Sequence, residues 1–191
     1  MSVILASQSP RRRELLGLFP FPFTVQVADI DETMDPQDAP YDQVAQVSCR
    51  KAMAIPRQPE DVVIAADTVV VCDGYVFGKP HTKEEAAQML SRLSGKAHQV
   101  MTGLCVLYGD QRTVCTEVTD VYFCQLTPEQ IHAYVATGEP MDKAGAYGIQ
   151  GGAALFVEKL VGDYYNVVGL PVCRLSQVLR QMAPQLLEEW L

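Results

Sequence analysis

One stretch constrains the fold of this chain more than any other: Val62–Cys72, which runs VVIAADTVVVC. Its density of β-branched residues reads as a strand, and its apolar character as a buried one. Asp73-Gly74 follows directly. That pair favours the left-handed backbone of a two-residue turn, so Tyr75–Phe77 is expected to return antiparallel. One residue contradicts the run. Asp67 puts a carboxylate inside a buried strand, where an uncompensated charge is expensive. It then needs a metal, a cation or a proton to hold. The alternative is an edge strand or a bulge that turns Asp67 to water.

The rest of the chain alternates strand-like and helix-like segments. Val3–Ser7 reads as a short buried strand, followed by an N-cap at Ser9 and a helix over Pro10–Leu18 with proline in its first position. A short strand is expected at Phe23–Ala28, before a polar loop. Tyr41–Ile55 reads as a helix with Val44, Val47 and Ala52 on one stripe. Lys83–Leu93 is a helix closed by Ser94-Gly95. Two long strands, Gln99–Tyr108 and Thr113–Gln125, flank a turn at Gly109-Asp110. Thr127 to Gln130 forms a capping box, which opens a helix reaching about Thr137 and stopping at Gly138. Ala153–Leu160 is expected to be a strand, Gly162-Asp163 a turn, and Pro171–Met182 a closing helix that the terminal LLEEWL extends. Several neighbouring strands look antiparallel. The expected class is therefore α/β, a mixed twisted sheet with flanking helices, in a single domain over residues 1–191.

Charge and composition exclude some function classes. The net charge is −8. A general nucleic-acid binder relies on many Lys and Arg contacts to phosphates, so no nucleic acid is expected as partner. A small phosphate-bearing substrate stays open, because one basic cluster or one metal suffices for it. No segment approaches the length of a membrane span, so no membrane partner is expected. The six cysteines form no C-x-x-C pair and read as reduced thiols of a cytoplasmic protein. The three histidines lack zinc-ligand spacing.

Beyond Asp67, three places break local rules, and functional residues concentrate at such places. Arg11, Arg12 and Arg13 crowd the first turn of a helix, where the dipole favours anions. A bound phosphate removes the conflict; a solvated basic turn is the plain alternative. Lys51 lies on the apolar stripe of its helix, four residues after Val47. Its ammonium either snorkels to water or points inward. Asp142–Gly152, DKAGAYGIQGG, suits neither helix nor strand. It is a surface loop, or a loop whose glycines allow close approach to a ligand. Glu32 in an acidic segment and Lys79 in Phe-Gly-Lys-Pro read as surface residues when taken alone, and His98 and Thr102 as structural.

Taken together, the motifs resemble one family. LASQSPRRRELL (Leu5–Leu16) resembles the Ser-x-Ser-Pro-Arg-Arg signature that opens Maf proteins. Asp31-Glu32-Thr33, Arg50-Lys51-Ala52, Ala66-Asp67-Thr68, Gly78-Lys79-Pro80, Ser94-Gly95 with His98, Thr102-Gly103, DKAGAYGIQG and Val168-Gly169-Leu170-Pro171 follow in the family's order. The resemblance spans essentially the whole chain. It implies a fold related to inosine triphosphate pyrophosphatases, with two lobes and a central cleft, and it is compatible with a homodimer. It also implies cleavage of a nucleoside triphosphate between its α and β phosphates with Mg²⁺ or Mn²⁺.

By match to these motifs, Ser7, Arg12, Glu32, Lys51, Asp67 and Lys79 are the catalytic and phosphate-binding set. Glu32 and Asp67 would help hold the metal, and Asp67 would orient or deprotonate water. Arg12, Lys51 and Lys79 would neutralise the phosphates. Members that cleave dTTP and UTP resemble this chain in having Arg, Thr and Gln at the positions of Arg11, Thr68 and Gln150. Members that cleave 7-methyl-GTP have Trp, Gln and Glu there. The Gln150 amide offers one donor and one acceptor, which suit the N3–H and O4 of uracil or thymine. The expected activity is therefore metal-dependent hydrolysis of dTTP, UTP and modified uridine triphosphates to the monophosphate and pyrophosphate. Two rivals remain: a pyrophosphatase of other base preference (CTP or 7-methyl-GTP), and a non-catalytic nucleotide-binding regulator of cell division. Intact acidic residues at Asp67 and Glu32 speak against the second.

Overall fold

A computed structural model describes residues 1–27 and 29–188 of the chain. β1 (Val3–Ala6) is apolar and buried at every position. Ser9 then accepts a hydrogen bond from the Arg12 amide, and Pro10 opens α1 (Pro10–Leu16), as the capping signal predicts. β2 (Thr24–Gln26) is shorter than expected; Ala28, the end of the predicted strand, lies outside the described residues. α2 (Pro40–Met53) buries Val44, Val47 and Ala52, the predicted stripe. β3 (Val62–Cys72) has the predicted bounds. Asp73 and Gly74 both take positive φ, 51° and 78°, and return the chain into β4 (Tyr75–Phe77), antiparallel to β3.

α3 (Lys83–Leu93) starts at a Thr82 cap. β5 (Ala97–Tyr108) and β6 (Gln111–Phe123) are joined through Gly109-Asp110. α4 (Pro128–Ala136) carries the predicted Thr127–Gln130 capping box. The expected strand Ala153–Leu160 is corrected. Gly152–Phe156 is a 3₁₀ turn, and only β7 (Val157–Val161) pairs with β6. A short α5 (Tyr164–Val168) precedes α6 (Val172–Met182). The expected extension of α6 does not form through Pro184–Leu186, which is a 3₁₀ turn, and Glu189, Trp190 and Leu191 lie outside the described residues. Proline at 184 has no amide to continue the helix.

The strands form one seven-stranded mixed sheet in the order β2-β1-β3-β5-β6-β7, with β4 beside β3. β1 is parallel to both β2 and β3, while β3–β4 and β6–β7 are antiparallel. The class is mixed α/β, as expected. β3 is thus an interior strand, which rules out the edge-strand reading of Asp67. No helix among the described residues is long and apolar enough to cross a membrane.

The chain divides into two compact units. The first comprises Met1–Asp67, Thr102–Glu117 and Gly169–Leu191; the second comprises Thr68–Met101 and Val118–Val168. The first has a buried cluster of Ile4, Ala6, Ala52, Ile55, Val63, Ala65, Cys105 and Leu107. The second is centred on aromatic residues, with Phe123 packed edge-on against His98, Tyr147 and Phe156. Within the first unit, Gly103 of β5 lets α2 approach closely. A Cβ there would lie 2.2 Å from the Val44 carbonyl oxygen, so any side chain would push α2 outward.

Candidate active site

β3 exposes alternate residues to one face, so Asp67 shares a face with Val63 and Ala65. Those two residues pack with Ala52 of α2 and with Ile55 just after it. One position before Ala52, Lys51 therefore reaches the middle of β3. Its ammonium donates to Asp67 Oδ1 at 2.7 Å and pairs with Glu32 Oε2 at 2.9 Å. The side chains of Lys51 and Asp67 are only 13% and 10% exposed, whereas Glu32 is 59% exposed. The buried carboxylate thus has its cation, and Lys51 points inward rather than snorkelling. Removing the Lys51 ammonium would leave the Asp67 carboxylate buried without this partner, at a cost of about 3–5 kcal/mol.

Glu32 sits in the loop between β2 and α2, and α2 holds that loop. Arg50 donates to the carbonyl oxygens of Asp31 and Thr33, at 2.7 and 2.8 Å, one on each side of Glu32. Two turns earlier on the same helix, the buried Gln43 amide donates to the Asp35 and Asp38 carbonyls. The sequence alone gives no role to Arg50 or Gln43. The signal available was their spacing of seven, which puts two polar side chains on one helical edge.

The loop after β1 brings in the third group. Ser7, buried, accepts from the Ser9 amide at 3.2 Å and from Arg12 Nη1 at 3.4 Å. Arg12 Nε donates to the Gly169 carbonyl at 2.7 Å, tying α1 to the Val168–Pro171 motif. Burial lowers the basicity of Arg12 from its ordinary value, and the charges of Asp67 and Glu32 oppose that shift. Arg11 lies beside it on α1, half-buried, and its charge lowers the Arg12 value further. Ser7, Arg12, Glu32, Lys51 and Asp67 are thus joined through hydrogen bonds, ion pairs and electrostatic contact within the first unit.

Thr68, Lys79 and Gln150 belong to the second unit. Thr68 is half-buried on β3, and Lys79 is exposed after β4. Gln150 is exposed in a turn closed by the Gly151 amide donating to the Gly148 carbonyl at 3.1 Å. His98 is buried as a structural residue, its Nε2 sharing a 2.8 Å hydrogen bond with the Tyr147 hydroxyl. Burial lowers its pKa to about 4, so the ring stays neutral.

Chemically, the first unit offers two carboxylates of unequal exposure, an ammonium between them and a guanidinium nearby. Such a set can hold a cation, accept a proton from water and neutralise phosphate oxygens. Comparison with known proteins gives the family. A family model described as Maf-like protein matches residues 2–182. A dTTP/UTP pyrophosphatase of Symbiobacterium thermophilum is 53% identical over 94% of this chain and 93% of its own length. A dTTP/UTP pyrophosphatase of Bacillus anthracis is 47% identical over 94% of each chain. Among solved structures, a HAM1 protein from Coxiella burnetii is similar in fold, with a TM-score of 0.51 at 16% identity over 95% of this chain and 99% of that one. Motif order, the joined charges on β3 and α2, and a family match over nearly the whole length lead to one conclusion: the chain belongs to the Maf family.

Proposed function

We propose that this protein hydrolyses pyrimidine nucleoside triphosphates, dTTP and UTP foremost, to the monophosphate and pyrophosphate. The observation that carries this reading is the buried Lys51 ammonium held between Asp67 and Glu32, in a chain whose relatives bear the name dTTP/UTP pyrophosphatase. Water attacks the α-phosphorus, the bond from that phosphorus to the bridging oxygen breaks, and pyrophosphate leaves. Asp67 orients the water and takes its proton. Arg12 and Lys51 offset the negative charge that accumulates on the phosphates. Motif positions assign Ser7 to substrate binding, Lys79 to the leaving pyrophosphate, and Arg11, Thr68 and Gln150 to the nucleotide.

The donor set suits a hard divalent cation. Glu32 and Asp67 already grip a single cationic group between them. Mg²⁺ and Mn²⁺ bind through one or two carboxylates and complete their shells with water and phosphate oxygens. Among the described residues, no cluster of three or more His, Cys, Asp or Glu side chains could hold an ion unaided, so the substrate would supply the remaining ligands. When bound, the metal would polarise the phosphate oxygens. A cytoplasmic location belongs to this reading; all six cysteines are free thiols, which supports a reducing compartment.

The test is pyrophosphate release from a panel of triphosphates with Mg²⁺ or Mn²⁺. Release from UTP and dTTP ahead of CTP and 7-methyl-GTP is the expected result. Preference for 7-methyl-GTP would overturn the base assignment, and no release from any of them would overturn the activity.

A further inference from the structure

The turn that presents Gln150 is tied from beneath on both sides. The Gly148 amide donates to the Tyr134 hydroxyl at 3.1 Å, and that hydroxyl donates to Glu139 Oε1 at 2.9 Å. The other carboxylate oxygen, Glu139 Oε2, accepts from the Gly152 amide at 3.0 Å. One phenol and one carboxylate therefore bridge the two residues that bracket Gln150. Tyr134 is 6% exposed at the end of α4, packed edge-on against Phe156. Burial keeps its hydroxyl protonated, so it can relay a bond in this direction. The Lys143 ammonium donates to the Glu139 backbone carbonyl at 2.6 Å and pairs with Asp142, closing the base of the same loop.

The glycines of the loop serve this arrangement. A Cβ on Gly151 would stand 2.0 Å from Glu139 Oε1, and one on Gly148 would stand 2.5 Å from Lys143 Cε. Both glycines admit side chains of the protein's own second unit. At these two positions the space is taken by Glu139 and Lys143 rather than by a ligand.

We propose that Tyr134 and Glu139 are positioning residues that fix the height of the Gln150 amide, and that this height lets the enzyme separate pyrimidines from purines. The inference rests on the reading of Gln150 as the base-contacting amide. Uracil and guanine present the same pair of groups to an amide: a carbonyl acceptor beside a ring N–H donor. Hydrogen-bond chemistry alone does not tell them apart. The two edges differ in distance from the sugar, because a purine interposes a second ring. An amide on a mobile turn follows either edge. An amide on a turn pinned at Gly148 and Gly152 meets only the nearer one, and a purine then leaves polar groups unpaired.

The experiment compares kcat/KM for UTP with kcat/KM for GTP. It uses the wild-type protein, Tyr134→Phe, Glu139→Gln, Gln150→Ala and the Tyr134→Phe/Gln150→Ala pair. Tyr134→Phe removes the bridging hydroxyl while keeping the ring against Phe156. The UTP-to-GTP ratio is expected to fall about fivefold or more, mainly through KM, as befits one lost hydrogen-bond relay. Glu139→Gln should act in the same direction, and it keeps the proposal testable if the Phe variant fails to fold. In the Gln150→Ala background, Tyr134→Phe should not lower the ratio further, because both changes act through one amide. A wild-type ratio in Tyr134→Phe and Glu139→Gln, alongside a collapsed ratio in Gln150→Ala, overturns the positioning role and leaves Gln150 as base reader. Equal losses on UTP and GTP also overturn it, since they report general destabilisation. An unchanged ratio in Gln150→Ala overturns the base reading itself, and this role of Tyr134 and Glu139 with it.

Discussion

The Lys51 cluster and the Gln150 turn solve opposite problems. The first holds formal charges out of water: an ammonium and a carboxylate with side chains 13% and 10% exposed, joined to an open carboxylate. Its members come from sequence-distant segments, with Lys51 and Asp67 on different elements and Arg12 bonded to Gly169. The second ties down a turn that carries an exposed amide. Its ties all lie between Tyr134 and Gly152, through backbone amides, one phenol and one carboxylate. Under the proposed function, charge is the working material of the first region, so its loss should stop the reaction. In the second the working quantity is position, so its loss should shift substrate preference.

The largest effect should come from Asp67→Asn. If Asp67 is the general base proposed above, its removal costs on the order of a thousandfold in turnover. The fold should survive, because the Asn side-chain oxygen still accepts from Lys51 and Glu32 still balances its charge. A stability loss of about 1–2 kcal/mol is expected in denaturant unfolding. Near-normal turnover would break the comparison, since the charged cluster would then be scaffolding like the Gln150 loop.

A smaller effect tests the demand for neutrality in the second unit. His98 has an ordinary pKa of 6.5 when unfolded and about 4 in the fold, where burial disfavours the imidazolium. The unfolded chain therefore binds this proton first on acidification. The neutral ring's contribution to stability is complete above pH 6.5, and it is lost as pH falls from 6.5 through about 4. Between about pH 7 and about pH 4.5 the loss assignable to His98 is roughly 2–3 kcal/mol. His98→Phe should flatten the acid limb by that amount in unfolding experiments at the two pH values. An identical acid limb in the variant would show that a neighbouring group carries the proton.

Which parts were legible in the sequence follows from the same contrast. β3, its Asp73-Gly74 turn and the Thr127 capping box were readable because each is set by residues adjacent in the chain. Asp67 and Lys51 were readable because a charge in an apolar pattern announces itself. The strand expected at Ala153–Leu160 failed over its first half because its amides are already engaged. Gly152, just before it, donates to Glu139, and within it Ala154 donates to the Gly151 carbonyl, so a 3₁₀ turn forms where a ladder was expected. Tyr134 and Glu139 escaped notice because nothing local is wrong with them. Tyr134 completes the apolar side of α4, and Glu139 passes for an ordinary surface acid. Their roles arise only when the loop folds back to Gly148 and Gly152.

Arg50 escaped for the same reason, and it gives the smallest expected effect and the finest test. Its guanidinium bonds the carbonyls on both sides of Glu32, which resembles the way Tyr134 and Glu139 bracket Gln150. Arg50→Gln shortens the side chain and removes the charge that strengthens these bonds. Glu32 then loses its fixed place while keeping its carboxylate. We expect kcat/KM for UTP to fall about fivefold, with the midpoint for Mg²⁺ or Mn²⁺ activation moving upward. Stability should change by no more than about 0.5 kcal/mol, because the lost bonds lie at the surface. The UTP-to-GTP ratio should stay at its wild-type value, since no base contact is involved. A shifted ratio would dissolve the division between a region that works by charge and one that works by position. A fall in kcat/KM with an unshifted ratio would sharpen it, because backbone-clamping side chains would then hold the functional group in both regions.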